Sequence, residues 1–224
     1  RQNVGADLAF RKWKHGSLTS SAIFDMYGAR IQDVDVTATA LVSRKFSAFL
    51  RYGMFDPDAL LPRTSIFWVF ARELHQEVGG GVSYRPARGL QLSLDWDQYF
   101  YGDGDGGYLG KARASYEIPV TVPLKVGLEV ARLSETENGY NALRLFGRGE
   151  TGYGLRYSAE AMSYLFEDDL RGYDKAMTGY GGLGYRFIPE LVLDLGLEIN
   201  HTPLVKSELR GFAKLTWSFE GGAK

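Results

Sequence analysis

The chain has 224 residues, 28 of them glycine, with 4 Trp, 14 Tyr and 13 Phe, no cysteine, and 26 basic against 27 acidic side chains. A formal charge of −1 projects no long-range field of one sign, so the composition argues against nucleic acid as a partner. There is no disulfide framework, and no apolar run of about 18 residues is present to form a membrane helix.

The N-terminal Arg1-Gln2-Asn3 does not read as a signal peptide, so the expectation is a chain whose signal has been removed or a fragment of a longer one. From there almost every segment alternates apolar and polar residues with the period of two that belongs to strands. The first strand is expected over residues 3–14. Residues 20–43 and 64–84 are each long enough for one extended strand or a hairpin, and a strand at 46–55 lies between them. Further strands follow at 90–101, 107–118, 123–134, 140–148, 153–166 and 176–187. The next begins at Leu191 and puts Leu193, Leu195, Leu197 and Ile199 opposite Asp194, Gly196, Glu198 and Asn200; the last covers 205–219. Short connections at 85–89, 119–123 and 147–152 alternate with longer polar ones at 102–107, 134–139 and 167–175, as the two rims of an outer-membrane barrel do. Neither long N-terminal segment contains a strong turn dipeptide, so each is read as one strand. The expected fold is all-β, a single transmembrane antiparallel up-and-down β-barrel domain of twelve strands, or fourteen if both segments are hairpins.

A soluble sandwich or lipocalin-like barrel has the same alternation. Three features favour the membrane. The polar face mixes paired charges with glycines and large rings such as Tyr99, Phe146, Tyr164, Tyr180 and Phe212, which suits a crowded wet interior. Aromatics on the apolar face gather toward one rim at Phe46, Tyr84, Tyr116, Tyr185, Phe187, Trp217 and Phe219, and toward the other at Trp96 and Phe100, as membrane girdles do. Most segments also approach the roughly 9 to 11 residues that a tilted membrane strand needs.

The closing stretch Arg210-Gly-Phe-Ala-Lys-Leu-Thr-Trp-Ser-Phe219 resembles the terminal strand of bacterial outer-membrane β-barrel proteins of the porin-like superfamily. It departs from them in the Glu-Gly-Gly-Ala-Lys that follows Phe219. The resemblance implies an outer-membrane location, contact with outer-membrane lipid, and recognition of the closing strand by the barrel-assembly machinery; it identifies no specific family.

On this reading the polar positions line a lumen. They include Arg51, Glu77, Asp95, Asp97, Lys111, Arg113, Glu117, Lys125, Glu129, Arg144, Arg148, Arg156, Glu160, Arg186, Asp194, Glu198, Lys206, Glu208, Arg210 and Lys214. The signs run in stripes, so neighbouring strands can pair opposite charges, with Arg144, Arg148 and Arg156 expected to face Asp194 and Glu198 across the pore. The expected function is a porin-like channel for small charged or polar solutes, with no cofactor and no enzymatic activity. A closed barrel acting as scaffold or export partner, as the membrane domain of a longer chain, is the alternative. A surface hydrolase comes third, with Glu73, His75 and Glu77 as its first candidates. The loop 101–107 carries Asp103 and Asp105 at an oxygen-ligand spacing but lacks the distal Glu of an EF-hand, so it is read as a glycine turn. His15, His75 and His201 stand apart without a metal or hydrolase motif.

Overall fold

The computed structural model describes residues 3–13, 15–56, 75–102, 104–119, 122–135, 138–170, 172–203 and 206–218. Among these residues the chain forms thirteen strands and no helix: β1 (Asn3–Trp13), β2 (Gly16–Asp25), β3 (Arg30–Leu41), β4 (Phe46–Phe55), β5 (His75–Tyr84), β6 (Leu90–Tyr101) and β7 (Gly106–Ile118), then β8 (Leu124–Glu135), β9 (Tyr140–Glu150), β10 (Leu155–Leu170), β11 (Tyr173–Ile188), β12 (Leu191–His201) and β13 (Glu208–Trp217). Each strand is hydrogen-bonded to its neighbours in sequence, in the order β1 to β13.

Thirteen strands among the described residues differs from both expected counts, and the reason lies in one turn. Residues 20–43 form the hairpin of β2 and β3. At its tip Asp25 Oδ1 accepts the Tyr27 N–H at 2.9 Å, and Ala29 adopts a left-handed φ of 49°. A residue with a Cβ seldom takes that conformation, and the turn holds no Asn-Gly or Asp-Gly pair, so nothing local announced it. The segment at 64–84 supplies the single strand β5, its earlier part lying outside the described residues.

The short turns are built by side-chain acceptors and glycine. Ser43 Oγ accepts the N–H groups of Lys45 and Phe46 between β3 and β4. Thr151 Oγ1 accepts from Leu155 between β9 and β10, where Gly154 has a φ of +79°. Between β2 and β3 the ladder slips: Ile23 pairs with Asp33 and Phe24 with Ile31, leaving Gln32 as a bulge. Its buried amide is held by Asn3 of β1, Nδ2 to Oε1 at 2.8 Å.

By its contacts the chain divides into two units, one of Arg1–Pro86, Leu92–Ala112 and Arg132–Gly139, the other of Ala87–Gln91, Arg113–Ala131 and Tyr140–Lys224. Within each, register fixes the faces. In the first, Thr19, Thr37, Arg51, Gly79 and Asp97 succeed one another across β2 to β6 on one face, while Ala38, Leu50, Gly80 and Trp96 occupy the other. In the second, Glu150, Arg156, Gly184, Asp194 and Lys214 form a row across β9 to β13. Leu155, Tyr185, Leu193 and Leu215 lie in an adjacent row on the opposite face.

Burial is inverted relative to a water-soluble protein. Among the described residues Ala176 is the one buried hydrophobic side chain, whereas Gln32, Asp97, Ser115 and Asn200 are buried and polar. Leu50 is 71% exposed and Leu215 65%, alongside Leu8, Leu94, Leu183, Leu195 and Ile199. An apolar face of this extent in water would be an aggregation surface; in a bilayer it is the ordinary solvent contact. Arginine placed on it measures the assignment. Leu195→Arg, midway along β12, is expected to lower the stability of protein folded into lipid vesicles by about 2–4 kcal/mol, and Leu209→Arg, near a strand end, by about 0–1 kcal/mol. Urea titration of the two variants reads the difference, and equal, negligible costs would contradict a lipid-facing sheet.

Candidate functional site

The charged face is organised around arginines that reach across a glycine. In the first unit Arg51 on β4 and Asp97 on β6 both lie opposite Gly79 of the strand between them. Strands are spaced about 4.8 Å apart, so two strands away is nearly 10 Å, within the joint reach of the two side chains only if nothing stands between. Gly79 leaves that path clear: a Cβ there would fall on the Asp97 carboxylate. Arg51 Nε is 2.9 Å from Asp97 Oδ1 and Nη2 is 2.5 Å from Oδ2, a two-point contact to a carboxylate that is 2% exposed. Glu77 of β5 takes the same guanidinium at 2.7 Å. Asp95 repeats the placement over Gly81, beside Phe49.

The second unit uses the same device. Arg156 of β10 and Asp194 of β12 flank Gly184, and the guanidinium meets the carboxylate at 2.8 Å across it. A second chain of charges runs from Arg113 to Glu129 at 2.8 Å, from Glu129 to Arg144 at 3.9 Å, and from Arg144 to Glu160 at 2.7 Å. Phe146 lies beneath it, with the guanidinium carbons of Arg113 and Arg144 at 5.1 Å and 5.4 Å from its ring centre. The ring occupies the space above Gly127, where no side chain competes. Phe212 likewise covers Gly196 and stacks on Tyr180 at 6.0 Å.

On the strands the expected charged residues share a face, as Asp194 opposite Lys214 and Glu198 opposite Arg210 do, but their partners differ. Arg156 meets Asp194 by lying along the sheet, Arg144 pairs with Glu129 and Glu160, and Arg148 makes no ion pair among the described residues. Arg186 pairs with Glu150 at 3.6 Å, Arg210 with Glu208 at 2.7 Å, and Glu198 accepts from Asn200 at 2.6 Å. Lys111 is half-buried on β7, and Lys214 stands opposite Asp194. Lys206 sits in the bend before β13, its carbonyl engaged by His201 Nδ1. The glycines that make the long-reach pairs possible were not singled out in the sequence, although each lies in phase with the charged positions of its own strand.

Of the expected girdle, Tyr84, Trp96, Phe100, Tyr116, Tyr185, Phe187 and Trp217 are all exposed on the described surface, and Phe46 is half-buried opposite Tyr84. Trp96 stacks on Tyr108 at 4.5 Å, midway along β6. Phe219, Asp103 and Glu73 lie outside the described residues. His75 packs against Tyr99 and Tyr101, and the described residues contain no cluster of three or more His, Asp or Glu able to hold a metal.

Above the row of Arg156, Gly184 and Asp194 lies an open cavity of about 1290 Å³. It forms because Ser158, Gly182 and Gly184 put almost no side chain into it. The lining cations are Lys125, Arg148, Arg156, Arg186 and Lys214, against the carboxylates Glu117, Glu150 and Asp194.

No protein-family model and no curated protein matches the chain. Among solved structures it is similar to OmpTΔL8, a loop L8 deletion mutant of OmpT, an outer membrane protein of Vibrio cholerae. That match has a TM-score of 0.49 and 10% identity and covers 96% of this chain and 90% of the other. The likeness is one of fold alone. The expectation that the chain is not an enzyme is withdrawn, because one β-scaffold carries unrelated functions and a strand pattern without a catalytic motif does not exclude catalysis. What places the chain is its own surface. A sheet with an apolar outer face and ion pairs on the other belongs to a β-structured protein of the bacterial outer membrane.

Filling the gap under a long-reach pair tests the construction of the site. Gly79→Val should separate Arg51 from Asp97 and destabilise the protein by about 3 kcal/mol, through a buried carboxylate left without its partner. Glu77→Gln, which leaves Arg51 bound to Asp97, should cost no more than about 1 kcal/mol. Chemical denaturation in detergent compares the two.

Proposed function

We propose that this chain is a narrow, porin-like channel of the bacterial outer membrane, its strands closed into a barrel whose charged face lines a path for small charged or polar solutes. Closure follows from the hydrocarbon environment, in which unpaired edge N–H and C=O groups cost several kcal/mol each. The single observation that supports passage is the cavity of about 1290 Å³ on the charged face of the second unit, floored by glycine and serine and walled by ionised side chains. A face meant only to plug a barrel would fill that volume with side chains, as small barrels do. The long-reach pairs contribute to the same end, since an arginine lying flat along the sheet neutralises a carboxylate without projecting into the space above it. The ion pairs give the walls fixed positions, and oriented charges at close quarters bias which solutes enter.

Planar-bilayer recording tests the reading directly. Purified protein, with folding checked by its altered gel mobility before and after boiling, is expected to give discrete conductance steps in potassium chloride. Folded protein that inserts and carries no current above leak would overturn the channel.

A further inference from the structure

The cavity of the second unit is more specific than a general aqueous path, because its charges do not cancel. Its five cations outnumber its three carboxylates. Two of the cations are engaged, Arg156 with Asp194 and Arg186 with Glu150, whereas Lys125, Arg148 and Lys214 make no ion pair among the described residues. One donor is also unspent within an engaged pair: the Nε of Arg156 is buried and has no hydrogen-bond partner among the described residues. A Cβ at Gly184 would meet the Asp194 carboxylate and stand 3.2 Å from that nitrogen, so the glycine is what lets the pair close there and leaves the cavity above it open.

We propose that this cavity is a binding site for small multivalent oxyanions, solutes carrying two or more negative charges on phosphate or carboxylate groups. The chemistry argues for that class over a simple halide. A guanidinium presents N–H donors in a planar fork that matches two oxygens of one group, and the ammonium groups of Lys125 and Lys214 act as point charges for a second group. The volume exceeds what one inorganic ion needs and is larger than the roughly 300–1,000 Å³ of pockets that enclose an organic solute, so a solute of that size enters with its water. The carboxylates Asp194 and Glu150 are already bound to arginines and oppose the anion less than free carboxylates would. The inference deepens the channel reading and rests on it only for the passage of the solute; binding itself stands apart.

Inorganic pyrophosphate serves as the probe, and binding and conduction are measured separately. Calorimetry of the full chain in zwitterionic detergent should give saturable pyrophosphate binding that weakens as salt is raised. The combined Lys125→Gln, Arg148→Gln and Lys214→Gln variant should bind at least tenfold more weakly, and Lys214→Arg should bind as the unaltered protein does. In bilayers the unaltered protein should prefer anions by its reversal potential in a salt gradient and be blocked by pyrophosphate. The triple variant should lose both properties while still conducting. No saturable binding, or binding unchanged in the triple variant, would overturn the site whether or not the protein conducts. Binding without conduction would sink the channel and leave the site. Tighter binding of a soluble short-chain phosphatidylglycerol than of pyrophosphate would overturn the solute and assign the cavity to a lipid headgroup.

Discussion

The structure depends on the strict alternation of a β-strand, which sends every second side chain to the opposite face and leaves no third choice. A charged residue on these strands is therefore either against hydrocarbon, at a cost of several kcal/mol near mid-membrane, or on the far face with other charges. With burial so inverted that Asp97 is enclosed and Leu50 is open, the charged face cannot rely on an apolar core to position its side chains. It relies on ion pairs and on rings laid over glycine, as Arg51 with Asp97 and Phe146 over Gly127 illustrate.

Glycine is the component that makes this arrangement spacious as well as ordered. Where a strand between two charged strands carries glycine, an arginine lies down and its partner is met two strands away. Where two such positions adjoin, as at Gly182 and Gly184, the result is a trough. The same residue type thus explains a tight two-point contact in one unit and an open volume in the other. The 28 glycines of the chain, well above the usual share of about 7%, find part of their reason here.

Much of this was legible in the sequence, and the limits are physical. The faces could be read because period two is a property of the chain alone: Asp194, Glu198, Arg210 and Lys214 were assigned to one side and lie there. Pairing could not be read, because it depends on register and on what stands between partners. Expecting Arg156 to face Asp194 across a pore found the right pair with the wrong geometry, since the contact is made along the sheet over Gly184. The β2–β3 hairpin was missed because its turn is carried by Asp25 and a left-handed Ala29 rather than by a recognisable dipeptide. The cavity was equally hidden, as it is defined by side chains that are not there.

β11 bears glycine at 179, 181, 182 and 184, too little bulk for packing alone to hold it in place. The guanidinium–carboxylate bridge thrown over Gly184 acts as a latch. Sliding β11 by two residues one way would drive Arg186 beneath a bridge that already carries positive charge, and the other way would thrust Tyr180 into the row where Phe212 covers Gly196. The bare strand is proofread by its neighbours, and the emptiness that a solute could use is kept in one alignment by the same pair of charges that borders it.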